Sequence, residues 1–191
     1  MHGLVDVDDS VLIVVDTQPG FLDKLEADAA ATIVERIAWL VRLARELGVP
    51  IVVTEESPDR NRATDEGVVR SLPPGTARHD KPAFGLAACP PIMADLERHG
   101  RATAVLCGLE TDVCVAQSAI GLRVAQWDAA VVSDAVGSPG VAHEQGLARM
   151  RDAGVVLIGL KGLCYEWLRT VERSNGVDES LWRDAPNGIT F

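Results

Sequence analysis

The chain has 191 residues, 47% apolar and 24% charged, and its 28 acidic against 18 basic side chains leave a formal charge of −10. That length and apolar content describe one globular domain able to bury about 70% of its unfolded surface, and they exclude a disordered chain. A pI near 4.8 with no cluster of Lys or Arg excludes the electrostatic footprint of a nucleic-acid binder, and no apolar run approaches the ~20 residues of a membrane-spanning helix.

Met1 to Ser10 is acidic and lacks the apolar stretch of a secretory leader, so a cytoplasmic protein is expected. Short β-branched runs then alternate with longer helical patterns. A first strand covers Val11 to Asp16. A helix from Ala27 to Leu47 follows, with Ile33, Ile37, Leu40, Val41, Ala44 and Leu47 on one stripe and Gly48 and Pro50 at its end. The second strand spans Ile51 to Glu55 and a polar third one Ala77 to Lys81. Pro90-Pro91 opens a helix that Gly100 stops. The fourth strand, Ala102 to Gly108, leads into a helix starting at Thr111 or Asp112 and ending near Gln126. A fifth strand, Ala129 to Ser133, precedes a helix with Ser138 as N-cap and Pro139 at its first position, ending at Gly154. The sixth strand is Val155 to Gly159. A last helix, about Gly162 to Glu172, offers Leu163, Tyr165, Trp167 and Leu168 as a face for a homo-oligomer, and residues 174–191 read as an irregular C-terminal arm.

Continuous rather than alternating apolar strands separated by helices predict a parallel sheet covered on both faces. The fold class is α/β: a single domain over residues 1–191, a three-layer, doubly wound α/β/α sandwich with a six-stranded parallel sheet in the order 3-2-1-4-5-6. In such sheets ligands bind beyond the carboxyl ends of the strands, near the reversal of strand order. Asp16, Lys81 and Cys114 stand just past strand ends.

Each has an ordinary and a chemical reading. A buried-strand aspartate is costly unless something pairs with it or uses it, although Asp16 can equally cap the loop at Pro19-Gly20. Phosphoryl transfer of the haloacid-dehalogenase type needs a second Asp two residues on, where Gln18 stands. Cys114 falls in the first turn of a helix, where free N–H groups and the helix dipole favour a thiolate; as one of four scattered cysteines it also fits a small buried hydrophobe. Cys89, Cys107, Cys114 and Cys164 have no C-x-x-C spacing, so free thiols are expected. Lys81, ahead of Pro82, reads as a surface residue unless it sits beside Asp16 and Cys114, where its ammonium would lower the thiol pKa.

Three separated motifs carry a resemblance. Val-Val-Asp16-Thr-Gln18-x-x-Phe21, Asp-Lys81-Pro-Ala-Phe84 and Cys-Gly108-Leu-Glu-Thr111-Asp-Val-Cys114-Val occur in order over about Ser10 to Glu172. In this the chain resembles the isochorismatase-like cysteine hydrolases, in particular their short isochorismatase-domain subgroup, whose wider family includes nicotinamidases and carbamoylases. The resemblance implies a catalytic triad of Asp16 as base, Lys81 as electrostatic partner and Cys114 as nucleophile. It also implies a cis peptide at Leu109-Glu110, an oxyanion hole from the N–H groups of Glu110 and Cys114, hydrolysis of a small amide through a thioester, and a dimer or larger assembly.

Departures narrow the reading. Metal-dependent nicotinamidases carry Asp-x-His and a further His after the second strand; here no His occurs between His2 and His79, and Glu55, Glu56 and Asp59 read as solvated charges rather than cation ligands. No metal or cofactor is expected, and the partner is a small molecule. True isochorismatases cleave a vinyl ether and lack the cysteine, so Cys114 favours an amide. His79, His99 and His143 have no carboxylate or Ser partner at recognisable spacing, and neither G-x-S-x-G nor G-x-G-x-x-G occurs. A redox role lacks a resolving cysteine, Cys107 lying seven residues away. A non-catalytic scaffold of the same fold stays open as the alternative. Gln18, Phe21 and Phe84 flank the triad in sequence and are expected to wall a small pocket.

Overall fold

A computed structural model describes residues 3–191. The strands are β1 (Ser10–Val15), β2 (Ile51–Glu55), β3 (Arg78–Asp80), β4 (Thr103–Leu109), β5 (Asp128–Gly137) and β6 (Val156–Ile158). They form one parallel sheet in the order β3-β2-β1-β4-β5-β6, the doubly wound arrangement expected. The helices are α1 (Pro19–Leu22), α2 (Ala27–Glu46), α3 (Pro58–Asn61), α4 (Glu66–Val69), α5 (Pro90–Arg98), α6 (Ala116–Val124), α7 (Ala142–Asp152), α8 (Leu160–Leu168), α9 (Val171–Asn175) and α10 (Glu179–Arg183).

The apolar run of β1 is uninterrupted because both sheet faces are covered, and the two-residue alternation of a strand divides it between them. Leu12 and Val14 join Val53, Val105 and Val132 under α2 and α8, whereas Val11, Ile13 and Val15 join Val52, Leu106 and Val131 under α5, α6 and α7. α2 stops where Gly48 adopts φ +69° ahead of Pro50.

Several boundaries depart from expectation. β5 runs on to Gly137 because it keeps pairing with β4 across a register shift between Leu106 and Gly108. α7 starts at Ala142, not at Pro139: the Ser138 hydroxyl, expected to cap it, donates instead to Asp112 Oδ1 at 2.6 Å. The last sandwich helix breaks at Arg169, with φ +65°, and resumes as α9. Most of the expected oligomer face on α8 is core: Leu163, Trp167 and Leu168 are buried within the chain, and Trp167 Nε1 donates to Ser10 Oγ at 3.1 Å, while Tyr165 alone of the four stays exposed. The C-terminal arm is likewise not irregular. It holds the end of α9 and all of α10, buries Val177 and Leu181, accepts Trp39 Nε1 at Leu181 O (2.8 Å) and stacks Phe191 on Trp39 at 4.6 Å. Among the described residues no helix is long and apolar enough to cross a membrane.

All four cysteines are buried free thiols. Burial pushes the Cys164 thiol up to about 12 and raises that of Cys107 as well, whereas unfolded thiols ionise near ~8.5. A folded pKa above the unfolded one stabilises the protein below the unfolded value, and that contribution is lost as pH climbs toward the folded value. The thermal midpoint is therefore expected to fall between about pH 8.5 and about pH 11, less steeply in Cys164→Ala. Calorimetry across that range checks this; a flat or rising midpoint contradicts it.

Candidate active site

β1 and β4 are neighbours whose chains leave in opposite directions across the sheet, so a crevice opens between their carboxyl ends. Asp16 stands at the end of β1 with φ +44°, a left-handed conformation that a short Asp tolerates. Its N–H donates to Thr54 O on β2 at 3.0 Å. Oδ1 accepts the Thr54 hydroxyl at 2.7 Å, and Oδ2 lies 2.9 Å from Lys81 Nζ. Oδ2 receives no hydrogen bond of regular geometry from a described residue, which leaves it capacity for a further proton.

Lys81 follows β3, two strands from β1, a distance of about 9.5 Å. A four-carbon stem bridges that gap beneath β2, as no shorter cation could. Its ammonium also donates to the carbonyls of Ala83 (2.7 Å) and Phe84 (2.9 Å).

Cys114 comes in from the β4 side. Gly108 there has φ +123°, and a Cβ on it would lie 1.9 Å from Val15 O, so only glycine permits this approach of β4 to β1. The Leu109-Glu110 peptide is cis. Thr111–Val115 then form one π-helical turn continuous with α6, the wider winding common at functional sites. The turn brings the Cys114 thiol beside Asp16 and the Glu110 N–H, close enough for both to act on its proton affinity. α7 braces the turn from outside. A Cβ on Gly146 would meet Asp112 Cα at 2.7 Å, and His143 Nδ1 is 3.0 Å from Thr111 Oγ1.

Asp16, Lys81 and Cys114 are each 0% exposed. Burial raises the Asp16 pKa above the ordinary carboxylate range, opposed by the Lys81 ammonium and by the Thr54 hydroxyl bond. Burial pushes the Cys114 thiol up to about 12 and the Asp16 carboxylate adds to the rise, against Lys81 and the Glu110 N–H. This corrects the expected resting thiolate: a dry site next to a carboxylate outweighs the helix start and the lysine, so the resting group is a thiol with its base at hand.

The structure thus brings Asp16, Lys81, Cys114 and Glu110 together, but it does not line them with Gln18, Phe21 and Phe84 as expected. The Gln18 amide is fully committed, donating to Glu56 O (3.2 Å) and Arg62 O (2.5 Å) and accepting Glu56 N–H (2.8 Å), so it ties the loop after β2 to β1. Phe21 packs into the α2 layer with 5% exposure and does not reach the triad; its ring lies under the Lys24 ammonium at 4.6 Å. Phe84 is 55% exposed in an open apolar groove with Pro82, Ala87 and Val124; its carbonyl reaches Lys81, but its ring does not wall the site. Glu55, expected to be solvated, is buried and accepts the N–H (2.8 Å) and hydroxyl (2.7 Å) of Thr64. His79 and His99 do have a carboxylate partner, Asp95, which α5 brings to His79 from sixteen residues on and which stands 3.8 Å from His99, one helical turn away. Sequence reasoning passed over Thr54, whose signal was a hydroxyl one place before the end of an otherwise apolar run.

A family profile described as the isochorismatase domain matches residues 10–161. The secreted isochorismatase effector Isc1 of Phytophthora sojae is 30% identical over 166 residues, covering 82% of this chain and 76% of that protein. Among solved structures, the YcaC gene product of Escherichia coli, titled an octameric hydrolase of unknown specificity, superposes with a TM-score of 0.87 at 21% identity, covering 96% of this chain and 91% of that one. The MAR1 ribonuclease of Caenorhabditis elegans gives a TM-score of 0.86 at 22% identity, covering 99% and 98%. With the profile spanning most of the chain and the parallel sheet in the order 3-2-1-4-5-6, the chain belongs to the isochorismatase domain family.

Proposed function

We propose that the protein is a cysteine hydrolase that cleaves a small amide-type carbon–nitrogen bond through a thioester. The observation that carries this is the meeting of a carboxylate, an ammonium and a thiol in one fully buried site, with the Glu110 N–H beside the sulfur. In such a site the electrostatic interactions act nearly unscreened.

Cys114 attacks the substrate carbonyl carbon as its proton passes to Asp16, and the N–H groups of Glu110 and Cys114 hold the oxyanion. Collapse breaks the carbon–nitrogen bond, and the departing amine takes the proton from Asp16. Water, giving a proton to Asp16, then attacks the thioester; the acid leaves and the thiol regains its proton. Lys81 keeps Asp16 ionised enough to act as base, and Thr54 holds its carboxylate toward the sulfur. No step calls for a metal or cofactor. Hydrolysis of RNA fits poorly with a chain at −10, which lacks the cationic surface that phosphates require. A cytoplasmic location fits four unpaired thiols, and homo-oligomerisation accords with the octameric YcaC gene product.

Incubation with a panel of small amides, followed by intact-mass analysis, is expected to show an acyl adduct on Cys114 that turns over. Iodoacetamide at neutral pH is expected to modify Cys114 before Cys89, Cys107 or Cys164, because Asp16 takes the thiol proton as the sulfur attacks. A scaffold protein of this fold shows neither, and four thiols reacting alike would remove the proposal.

A further inference from the structure

Glu110 does more than present its N–H to the Cys114 sulfur. Its side chain points toward α1, where Oε1 pairs with Lys24 Nζ at 2.9 Å. The same ammonium stands 4.6 Å from the centroid of the Phe21 ring. A carboxylate and an aromatic face therefore hold a cation between them, one residue's reach from the nucleophile. Asp23, the neighbouring carboxylate on this side, is already taken by Arg62.

The two partners of the pair are not equally fixed. The Glu110 side chain keeps 18% of its exposure and Lys24 keeps 47%. Lys24 can swing into water with little loss, because exposed ion pairs are weak and its stem is long. Glu110, the more buried of the two, is the less free to move. An incoming cation exchanges with Lys24 and finds both the carboxylate and the ring. An incoming anion would face a half-buried carboxylate and strip it of its partner.

We propose that Glu110 and Phe21 form a cation subsite, occupied in the resting protein by Lys24, that receives an ammonium or guanidinium group of the substrate. The substrate class is then a small amide bearing a positive charge near the scissile bond. The inference rests on the reading of Cys114 as the nucleophile.

Methanethiosulfonates of three charges test this without a known substrate: the cationic 2-aminoethyl, neutral methyl and anionic 2-sulfonatoethyl reagents. Each reacts alike, the Cys114 sulfur bonding to the reagent's sulfenyl sulfur, methanesulfinate leaving and the thiol proton passing to Asp16. Rates at Cys114 are read by mass spectrometry. The wild type is expected to favour the cationic over the anionic reagent by at least ~10-fold, and Glu110→Gln to lose most of that ratio. Lys24→Met, which vacates the subsite, is expected to raise the cationic rate ~3-fold relative to the neutral rate of the same variant. The field of the whole acidic chain is controlled by Glu172→Gln, an exposed carboxylate on α9, which is expected to leave the ratio intact. An anionic preference, or the same ratio in wild type and Glu110→Gln, overturns the subsite. The neutral reagent separates the two ideas: a Cys114 no faster with it than Cys89, Cys107 and Cys164 removes the nucleophile and the subsite together, whereas a fast Cys114 indifferent to Glu110 removes the subsite alone.

Discussion

Cys114→Ala is expected to lower the turnover of any amide substrate by at least ~10³-fold while the protein stays folded. The thiol supplies the atom that becomes the thioester, and Asp16 and Lys81 act on Cys114, whereas burial alone acts on Cys107 and Cys164. Loss of one buried sulfur changes stability by no more than ~1–2 kcal/mol, so the circular dichroism spectrum and a cooperative melt are retained. Asp16→Asn is expected to match the loss of activity, because an amide cannot carry the proton between thiol and leaving amine. In the active protein the acid limb of kcat/KM is expected above the ordinary carboxylate range near ~4, since burial raises the Asp16 pKa and the base works only when ionised. Initial rates of both variants and a pH–rate profile decide the matter. A Cys114→Ala enzyme keeping a tenth or more of the activity would mean that the nucleophile is elsewhere.

Gly108→Ala is expected to destroy the fold's centre, with a loss above ~4 kcal/mol or no folded protein at all. Its Cβ would lie 1.9 Å from Val15 O and 2.7 Å from Val15 C, both backbone atoms of a central strand that cannot give way without breaking the β1–β4 ladder. The φ of +123° adds a conformation that L residues rarely adopt. Gly154→Ala is the control. It shares a positive φ, +78°, but a Cβ there meets nothing within 4 Å, so it costs only the ~1–2 kcal/mol of the left-handed backbone. Urea denaturation of the two variants separates close approach from backbone strain, and equal midpoints would refute the close-approach account.

The legible part of the molecule was the part governed by short-range pattern. Val11 to Val15, Ala104 to Leu106 and Ala129 to Val132 read as buried parallel strands because both sheet faces demand apolar side chains. The α2 stripe and the stop at Gly48 read equally well, since a helix period and a positive φ are local properties. What failed was the fate of individual polar and aromatic side chains. Ser138 had the sequence of an N-cap, yet its hydroxyl found Asp112, a partner 26 residues away. Trp167 and Leu163 looked like an exposed face, because nothing in an amphipathic pattern tells burial against one's own sheet from burial against another copy. Phe21 and Phe84 stood near the triad in sequence, but α1 turns the first into the core and the loop after β3 turns the second out to solvent.

By itself the sequence determined the layer order, the strand ends at which Asp16, Lys81 and Cys114 emerge, and the thiol-bearing turn after β4. Each of these follows from patterns a few residues long. Only the tertiary structure decided how those three groups behave. Strand order set the two-strand gap that Lys81 has to span, the packing of α6 and α7 against the sheet excluded water, and that exclusion turned an expected thiolate into a thiol beside its base. The balance of desolvation against charge is a property of the whole enclosure, and no run of residues carries it alone.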